Sequence, residues 1–306
     1  DGDGDGDGDP CVDNPGSPEC CADQPNHPSC DPCVLEPGSD ACCADQPMHP
    51  SCNDNDGDGI PNDDDPFPDD ANLPGVGDPF KVYAHTSGAL FTMEAEEPYT
   101  IQQVGGFTFN QSPGQVTDIA LDRFGVLYAI TFNDLFVCNP QTAQCYYLAD
   151  IPQTANGLTM IPPGVIDPDD DTLVAIANNG TWYRVMQVGN QANFINIGGY
   201  NAGYSSSGDC FSIENVGTYC ATNKTGVNNG DVIIEANPMN GGNVQDIATT
   251  VGYNSLFGLA GWQGAIFGFN SGGQVIKIDP ENGTVTLLTN SNNGWWGAGV
   301  RTIIPQ

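Results

Sequence analysis

The feature that most constrains the fold is a series of short strand candidates that fills residues 79–306. Segments rich in Val, Ile, Tyr, Phe and Thr are separated by turn residues, among them the pairs Asn179-Gly180 and Asn282-Gly283. Alternation of this kind is typical of half-buried strands, and Asn-Gly pairs favour tight hairpin turns. Residues 117–149 accommodate four strands, which we place at 117–121, 126–131, 135–138 and 144–148. The pattern predicts an all-β domain of antiparallel strands.

The four-strand layout recurs with a period of about 40–48 residues. Similar layouts occupy residues 157–198, 208–250 and 256–289. Four strands at this spacing are the pattern of a β-propeller. Residues 81–106 hold only three strand candidates and residues 297–304 resemble the missing innermost strand, so pairing the two ends would close the ring. We expect a five-bladed β-propeller over residues 79–306, and six blades are the alternative if 105–116 adds strands.

A phrase early in this domain resembles NHL-type and related propellers. Residues 118–130 read DIALDRFGVLYAI, and residues 135–142 continue with LFVCNPQT. The resemblance extends loosely over the domain. It implies the propeller fold and leaves the chemistry open, because one fold hosts many functions.

Residues 1–78 have a different composition from the rest of the chain. They contain 21 acidic residues and no Lys or Arg, and Phe67 is their only large aromatic residue. A segment with so little apolar surface to bury cannot offset its conformational entropy. It must be held by covalent or metal cross-links, or remain disordered. We therefore expect an irregular stalk over residues 1–72, joined to the propeller by a linker at 73–78.

Residues 9–30 and 31–52 are two copies of a 22-residue repeat, and we treat residues 1–52 as one acidic, disulfide-rich tandem repeat. Each copy has the pattern C-x8-CC-x8-C, formed by Cys11, Cys20, Cys21 and Cys30 and then by Cys33, Cys42, Cys43 and Cys52. Four cysteines permit three pairings, of which a bond between adjacent cysteines has the least favourable geometry. We expect two disulfides within each copy, with the pairing left open.

Zinc binding is the alternative role for these cysteines, since His27 and His49 recur at one repeat position. The only short C-x2-C spacing, however, joins Cys30 to Cys33 across the repeat junction. An even total of 12 cysteines favours disulfides in an oxidising compartment. In the propeller we expect local disulfides, and the predicted pairs are Cys138–Cys145 and Cys210–Cys220. The sequons at Asn179, Asn223 and Asn282 are candidate glycosylation sites, which agrees with an extracellular or cell-surface location.

Residues 53–72, NDNDGDGIPNDDDPFPDDAN, carry the strongest chemical motif. Aspartates occupy positions 1, 3 and 5 of a loop whose position 6 is Gly59. Ca²⁺ binds six to eight oxygen atoms, and glycine permits the sharp turn after alternate inward-pointing residues. The oxygen donors that this spacing predicts are Asp54, Asp56, Asp58, the backbone carbonyl of Ile60, and Asp65. Pro61 and the two prolines after it exclude the second helix of an EF-hand.

Residues 54–70, DNDGDGIPNDDDPFPDD, resemble the bacterial form of the thrombospondin type 3 repeat. The match covers under a tenth of the chain and departs from the family at Asn62 and Phe67, where Asp and Cys are common. The resemblance implies a Ca²⁺ site without helices, with Asp63 among its ligands. Residues 1–9 are similar to the tail of a preceding unit, and the second site that this implies uses Asp3, Asp5, Asp7 and Asp9. The chain starts without Met inside that run, from which we expect a processed product.

The overall charge excludes several functions. The chain has 39 acidic and 6 basic residues, for a net charge of −33. Nucleic-acid binding requires Lys/Arg clusters, and membrane insertion requires about 18 consecutive apolar residues; the sequence has neither. We find no catalytic constellation, since His85 is the only histidine of the propeller and no G-x-S-x-G or H-E-x-x-H motif occurs. The acidic run at 167–171 is interpreted as a solvated loop or weak Ca²⁺ site.

Together these features favour an extracellular structural or adhesive calcium-binding protein. We expect its stalk to drive self-assembly into a homo-oligomer, filament or surface layer, with a glycan or another cell-surface molecule as a further candidate partner. A carbohydrate-binding propeller is the alternative, using Trp262, Trp295 and Trp296, although such side chains more often fill the gaps between blades. A secreted propeller hydrolase or lyase is the second alternative, and it requires convergent polar groups at one mouth of the central channel.

Overall fold

The computed structural model describes residues 20–21, 28–30 and 52–305. The chain divides into two compact units, Asp1–Leu73 and Pro74–Gln306. This division lies within the stretch 73–78, where the sequence predicts a linker. Where it is described, the first unit consists of turns and bends with a 3₁₀ turn at Pro28–Cys30. None of the helices in the described part of the chain has the length and apolar character needed to cross a membrane.

The second unit is built from antiparallel groups of four strands, and one group joins its two ends. The strands of this group are β1 (Lys81–Thr86), β2 (Ala89–Glu94), β3 (Ile101–Gly106) and β21 (Gly297–Gly299). Their order is β21-β1-β2-β3, with Tyr83 opposite Gly299 and His85 opposite Gly297. The last strand candidate therefore pairs with the first strand, as the sequence predicts, although it forms a strand over only three residues.

Two further groups share a nine-stranded sheet. The first group contains β5 (Asp118–Leu121), β6 (Leu127–Ile130), β7 (Asp134–Cys138) and β8 (Gln144–Asp150). The second group contains β9 (Gly157–Ile161), β10 (Thr172–Ile176), β11 (Thr181–Val188) and β12 (Gln191–Gly199). The outermost strands β8 and β12 meet in parallel at Asp150 and Gln191. The short β4 (Thr108–Phe109) also pairs in parallel with β8, so neighbouring groups are hydrogen-bonded at their outer edges.

The two remaining groups are separate four-stranded sheets. One contains β13 (Tyr204–Ile213), β14 (Gly217–Lys224), β15 (Val232–Ala236) and β16 (Asn243–Thr249). The other contains β17 (Leu256–Trp262), β18 (Ala265–Asn270), β19 (Gln274–Ile278) and β20 (Val285–Asn290). The innermost strands β5, β9, β13, β17 and β21 contact one another in turn, and β21 contacts β5. The second unit is therefore an all-β, propeller-like domain around a closed inner ring.

Burial follows the position of a strand within its sheet. Strands β7 and β9 are buried at every residue, whereas the outermost strands β8 and β16 keep exposed positions. Trp295 shows how neighbouring sheets pack, because its ring lies 5.1 Å from Phe91 of β2 and 5.6 Å from Phe269 of β18. Apolar burial between the sheets therefore stabilises the ring.

Two carboxyl groups accept hydrogen bonds from backbone N–H groups at the inner edges of this ring. An innermost strand has no further strand beside it, so its N–H groups that face the axis need other acceptors. Asp118 and Asp209 accept such bonds over 2.6–3.1 Å; the donors are the N–H groups of Ile119 and Leu158 for Asp118, and of Leu259 and Ala298 for Asp209. The matching position of the closing strand is Gly297, where a Cβ would overlap Asp118 Oδ1 and His85 Nε2. Glycine at position 297 lets the strands approach closely enough for two carboxyl groups to accept hydrogen bonds from the N–H groups of several strands.

Two disulfides each join a pair of neighbouring strands in this unit. Cys138–Cys145 links β7 to β8, and Cys210–Cys220 links β13 to β14, with Cα–Cα distances of 4.0 and 4.1 Å. Each pair lies directly opposite in the strand register. These are the two pairs expected from the sequence. Among the residues that the structure describes, no cysteine is free, which is the usual state in oxidising compartments.

Candidate metal centre

The loop after Cys52 turns alternate residues to opposite sides. From residue 54 to residue 59, the aspartates at even positions are half-buried and the residues between them are exposed. Gly57 and Gly59 have φ angles of 76° and 94°. Glycine adopts this left-handed region without the strain that a Cβ would cause, so both positions require glycine. The alternation expected from the D-x-D-x-D-G spacing is therefore present.

Three carboxylates converge on the inner side of this loop. Ligand oxygens of Asp54, Asp56 and Asp58 lie within 4.8 Å of one another. The backbone orients them: Asp54 accepts the N–H of Gly57 at 2.8 Å and of Gly59 at 2.9 Å. Asp56 Oδ1 likewise accepts the N–H of Asp58 at 3.2 Å. The loop thus holds three acidic groups together against their mutual repulsion.

A fourth carboxyl group, that of Asp65, interacts electrostatically with the three loop aspartates. It is only 7% exposed, and its Oδ1 accepts the N–H of Phe67 at 2.7 Å. Its Oδ2 is buried without a hydrogen-bond partner in the described part of the chain, and so is Oδ2 of Asp56. Burial raises the pKa of Asp65 to about 6, and the charges of the three loop aspartates add to the rise. Asp65 therefore lies close enough to the cluster to feel its charge.

The electrostatics of the cluster fit a hard divalent cation. Burial also raises the pKa of Asp58, with smaller contributions from the charges of Asp56 and Asp54, while the N–H of Ile60 opposes the rise. No Lys or Arg occurs in residues 1–78 to balance these charges. Oxygen donors alone, with two buried oxygens lacking partners, form the donor set that Ca²⁺ prefers.

The sequence interpretation missed an amide network at the base of the loop. Asn62 Nδ2 donates to Oδ1 of Asn53 and of Asn55, both at 3.1 Å, and Asn62 Oδ1 accepts the N–H of Asn55 at 2.9 Å. An aspartate at position 62 could not donate these bonds. The departure of Asn62 from the thrombospondin pattern therefore has a structural role. The sequence feature that could have indicated this network is the recurrence of asparagine at positions 53, 55 and 62, around the acidic motif.

Two predicted ligands are placed differently from the four carboxyl groups. Asp63 is exposed, and its Oδ2 accepts a hydrogen bond from Asn53 Nδ2 at 3.3 Å. Asp63 is therefore drawn to the amide network and not to the three converging carboxylates. The side chain of Ile60 is 1% exposed and anchors the loop by its burial. The predicted role of the Ile60 carbonyl as a Ca²⁺ ligand stays a prediction.

Several N-terminal predictions lie outside the described residues. These are the second Ca²⁺ site at Asp3, Asp5, Asp7 and Asp9, and the cysteines Cys11, Cys33, Cys42 and Cys43. Within the first repeat, Cys21 bonds to Cys30 with a Cα–Cα distance of 5.3 Å, which excludes the bond between adjacent cysteines. Cys20 and Cys52 are also disulfide-bonded. Sulfur atoms in disulfides are not thiolates, so these cysteines are not zinc ligands.

The three sequons lie at exposed positions of the second unit. Asn179 occupies a turn between β10 and β11, where its side chain accepts the N–H of Thr181. Asn282 Nδ2 donates to Asp279 at 2.6 Å, and Asn223 Nδ2 donates to the carbonyl of Ser206 at 3.0 Å. Two of the three amide nitrogens are thus engaged in hydrogen bonds.

The acidic run at 167–171 is a different kind of site from the stalk loop. Arg184 Nη2 lies 2.8 Å from Asp167 Oδ2. Arg123 lies 3.2 Å from Asp170 and 3.7 Å from Asp171. The run is an exposed loop, which agrees with the solvated-loop interpretation, and the two arginines offset part of its negative charge by pairing with three of its four aspartates. No local sequence pattern predicts these ion pairs, because Arg123 and Arg184 lie 47 and 17 residues from the aspartates that they contact.

Comparisons with known proteins give no family for this chain and only distant structural likenesses. No protein-family model matches the chain, and no curated protein matches it. One similar solved chain, described as "The de novo evolutionary emergence of a symmetrical protein is shaped by folding constraints", is 12% identical with a TM-score of 0.43; the match covers 74% of this chain and 99% of that one. BamB from Moraxella catarrhalis is 14% identical with a TM-score of 0.32, over 67% of this chain and 57% of BamB.

A protein of unknown function from Bacteroides caccae is 10% identical with a TM-score of 0.39, over 69% of this chain and 73% of that one. All three TM-scores are below 0.5 and all identities are at or below 14%. These likenesses therefore assign no ligand, partner or activity to this chain.

Proposed function

We propose that the protein is an extracellular, calcium-binding structural or adhesive protein. The observation that carries this proposal is the convergence of Asp54, Asp56 and Asp58, with the buried carboxyl group of Asp65 within range of their charge, in a unit without basic residues. Ca²⁺ bound there would offset most of the negative charge of the cluster and cross-link a loop that has little apolar surface of its own. The four carboxyl groups would supply oxygen ligands. The amide network around Asn62 would hold the loop in the conformation that binds the ion.

The Ca²⁺ site is tested by calorimetric titration of the full chain. We expect a dissociation constant of about 10⁻⁴–10⁻³ M, in the range of extracellular modules. Asp56→Asn removes one charge with little change of shape and should weaken binding about tenfold. Asp170→Asn is the matched control, because Asp170 is an exposed aspartate paired with Arg123. Equal Ca²⁺ affinity in the Asp56 variant and the parent chain would contradict the proposal.

We infer that the propeller-like unit has five blades. Each innermost strand belongs to its own group of four, and the ring passes through β5, β9, β13, β17 and β21. The six-bladed alternative depends on residues 105–116, which contribute only the two-residue β4 and the end of β3. An experimental density map with a sixth four-stranded group would refute five blades.

The disulfides of the N-terminal unit support the proposed location, and self-assembly is a further part of the proposal. Disulfides at Cys21–Cys30 and elsewhere support an oxidising, extracellular setting. We propose that the N-terminal unit docks on a neighbouring copy and so builds a filament or surface layer. Light scattering in Ca²⁺-containing buffer tests this proposal. A strictly monomeric particle at all protein concentrations would oppose assembly without affecting the Ca²⁺ site.

The alternatives receive less support from the structure. Trp262 is 5% exposed and Trp295 is fully buried, so only Trp296 of the three candidate tryptophans is available to stack on a sugar. The hydrolase or lyase alternative requires convergent polar groups at a mouth of the ring. The mouth lined by Trp296 carries two further aromatic side chains, Phe132 and Phe257, and four uncharged polar ones, and none of its side chains is a carboxylate, histidine or lysine that could act as the acid or base of such a reaction.

A further inference from the structure

A pocket of about 230 Å³ opens at one mouth of the inner ring. Each of the five groups of strands contributes to it, through Thr117, Asn156, Gly208, Phe257 and Trp296. Each of these residues lies in the innermost strand of its group or directly before it. One ligand can therefore contact all five groups. The volume is below the range of about 300–1,000 Å³ that is usual for drug-sized ligands, so the pocket suits a single ring-sized group.

The bottom of this pocket is polar and closely packed. A Cβ at Gly208 would lie 2.5 Å from the Cα of Phe257, so glycine is required where these two strands meet. Thr117 and Ser207 are 7% and 6% exposed. The Thr117 hydroxyl donates to a backbone carbonyl at 3.3 Å, and the Ser207 hydroxyl donates to Asp231 at 2.6 Å. Both hydroxyl oxygens keep lone pairs that can accept a bond from a ligand.

Two asparagine side chains add amide groups to the pocket. Oδ1 of Asn156 is fully buried and accepts no hydrogen bond within the described part of the chain. Asn178 is exposed at the rim, and the described residues form no hydrogen bond with its side chain. A buried acceptor without a donor is unfavourable, and a ligand hydroxyl would satisfy it. An amide both donates and accepts, as a hydroxyl group does.

The walls of the pocket are aromatic. Phe132 is 46% exposed, while Phe257 and Trp296 are half-buried. The backbone N–H of Trp296 donates to the carbonyl of His85 at 2.8 Å, which fixes the start of the side chain. None of the ring contacts in the described residues involves Phe132, Phe257 or Trp296, so other aromatic rings do not cover their faces. These faces can pack against the apolar side of a ligand.

The pocket presents no charge to a ligand. All of its lining side chains are uncharged. Burial raises the pKa of Asp118 and Asp209, which follow two pocket residues in the chain, and so favours their neutral forms. Burial raises the pKa of Asp231 as well. A charged ligand would lose hydration here without gaining an opposite charge. The site therefore favours a neutral ligand that has polar groups on one side and an apolar surface on another.

We propose that this pocket binds one neutral pyranose residue at the exposed end of a glycan. The hydroxyl groups of the sugar would bond to Asn156 and Asn178, and its C–H face would pack on Trp296 or Phe257. A purely apolar ligand would leave the Asn156 oxygen without a donor. The use of this site in adhesion rests on the proposed function, whereas sugar binding itself does not depend on it.

The test is a titration of the full chain, in Ca²⁺-containing buffer, with the methyl glycosides of glucose, galactose, mannose and N-acetylglucosamine. Tetramethylammonium, acetate and adenosine are the comparison ligands, and calorimetry gives each affinity. We expect at least one glycoside to bind with a dissociation constant of about 1 mM, and the comparison ligands to bind more weakly. Absence of saturable glycoside binding up to about 20 mM would overturn the proposal, as would tighter binding of any comparison ligand.

The same titration in chelator separates this proposal from the Ca²⁺ site. The pocket is formed by residues of the propeller-like unit alone, so glycoside affinity should be unchanged. Loss of glycoside binding in chelator would contradict the assignment to this pocket. Failure of Ca²⁺ to bind, with intact glycoside binding, would reject the calcium-binding role and leave the sugar site in place.

An asparagine variant separates binding from folding. Asn156→Ala should lower glycoside affinity about fivefold, because one hydrogen bond to the ligand is lost. It should not lower the melting temperature, since the Asn156 oxygen has no donor in the described residues. Asn228→Ala is the matched control, because Asn228 is exposed and does not line the pocket. Equal affinities in the Asn156 and Asn228 variants would refute the proposed hydrogen bond.

Aromatic variants test the packing of the sugar. Trp296→Leu should lower glycoside affinity about tenfold. Phe132→Leu removes a ring that is 46% exposed, so it repeats the test in a variant that should keep its fold. Phe80→Leu is the control, since Phe80 is 57% exposed and packs on Trp262 instead. Unchanged affinity in both pocket variants, with native circular dichroism, would exclude a sugar from this mouth.

Discussion

Two acidic loops of this protein have similar compositions and opposite electrostatics. In the stalk loop, burial raises the pKa of Asp58 and Asp65, and neighbouring carboxylates raise both further. In the run at 167–171, the N–H of Asp169 and then the guanidinium of Arg184 lower the pKa of Asp167. The stalk loop thus lacks a positive charge, whereas the run at 167–171 already has two.

The difference shows what an aspartate-rich sequence can and cannot predict. Acidic residues at close spacing are common to both loops, so spacing alone does not mark a metal site. The two loops differ in whether basic residues are available to pair with their carboxylates. Residues 1–78 contain no Lys or Arg, and the propeller-like unit contains all six. We therefore expect charge balance within a domain to be a better guide to a cation site than the density of carboxylates.

The largest expected effect is that of chelation on the two loops. Removing Ca²⁺ should leave the carboxyl groups at 54–65 unbalanced, so residues 54–72 should become many-fold more sensitive to protease. The run at 167–171 should keep its resistance, because Arg123 and Arg184 remain. Limited proteolysis with mass spectrometry, with and without chelator, measures both sites. Equal cleavage at 54–72 in the two conditions would remove the proposed distinction.

A second prediction concerns the arginine partners themselves. The double change Arg123→Met and Arg184→Met should destabilise the propeller-like unit by about 1 kcal/mol, because partly exposed ion pairs contribute little each. Chemical denaturation of that unit measures the loss. The matched control is Lys277→Met, since Lys277 donates to the hydroxyl of Tyr99 and, among the described contacts, to no carboxylate. A loss no larger than that of the control would show that the run at 167–171 does not depend on its arginines.

Much of the fold was predictable because local patterns determine it. The strands expected at 126–131 and 144–148 are found at Leu127–Ile130 and Gln144–Asp150. The closing strand near Gly297 and the bonds Cys138–Cys145 and Cys210–Cys220 also agree with local pattern and spacing. Alternating apolar residues and short cysteine separations carry that information within a few residues.

Long-range polar contacts were not predictable in the same way. Arg123 reaches Asp170 across more than forty residues, and Asp209 accepts an N–H from Ala298 across 89 residues. Such bonds depend on how the sheets close into a ring, which no local pattern encodes. The candidate Ca²⁺ site lies between these cases: its loop aspartates are local, whereas the role of Asn62 emerged only from the folded loop.

A third prediction sharpens the comparison at Asn62. Asn62→Asp removes the amide donor to Asn53 and Asn55 and adds a further negative charge, so the loop without Ca²⁺ should lose about 1 kcal/mol of local stability. Hydrogen exchange of residues 53–65 in chelator measures this loss. Asn72→Asp is the control, because its amide bonds only to Asp70 two residues away among the described contacts. If both variants exchange alike, the network has no special role.

The smallest expected effect is a pH dependence of the arginine-paired loop. The pKa of Asp167 is lowered from 3.8 in the folded state, chiefly by the N–H of Asp169 and then by Arg184. The folded protein therefore binds fewer protons than the unfolded chain as the pH falls through 4, and stability is lost in that window. Asp167→Asn should be less stable than the parent chain at pH 7, and the difference should shrink below pH 4. Because Asp167 is solvent-accessible, the shift should also diminish in high salt. A stability difference that is constant from pH 7 to pH 3 would mean that the carboxylate charge of Asp167 does not stabilise the loop, and the contrast with the stalk loop would then rest on Arg123 alone.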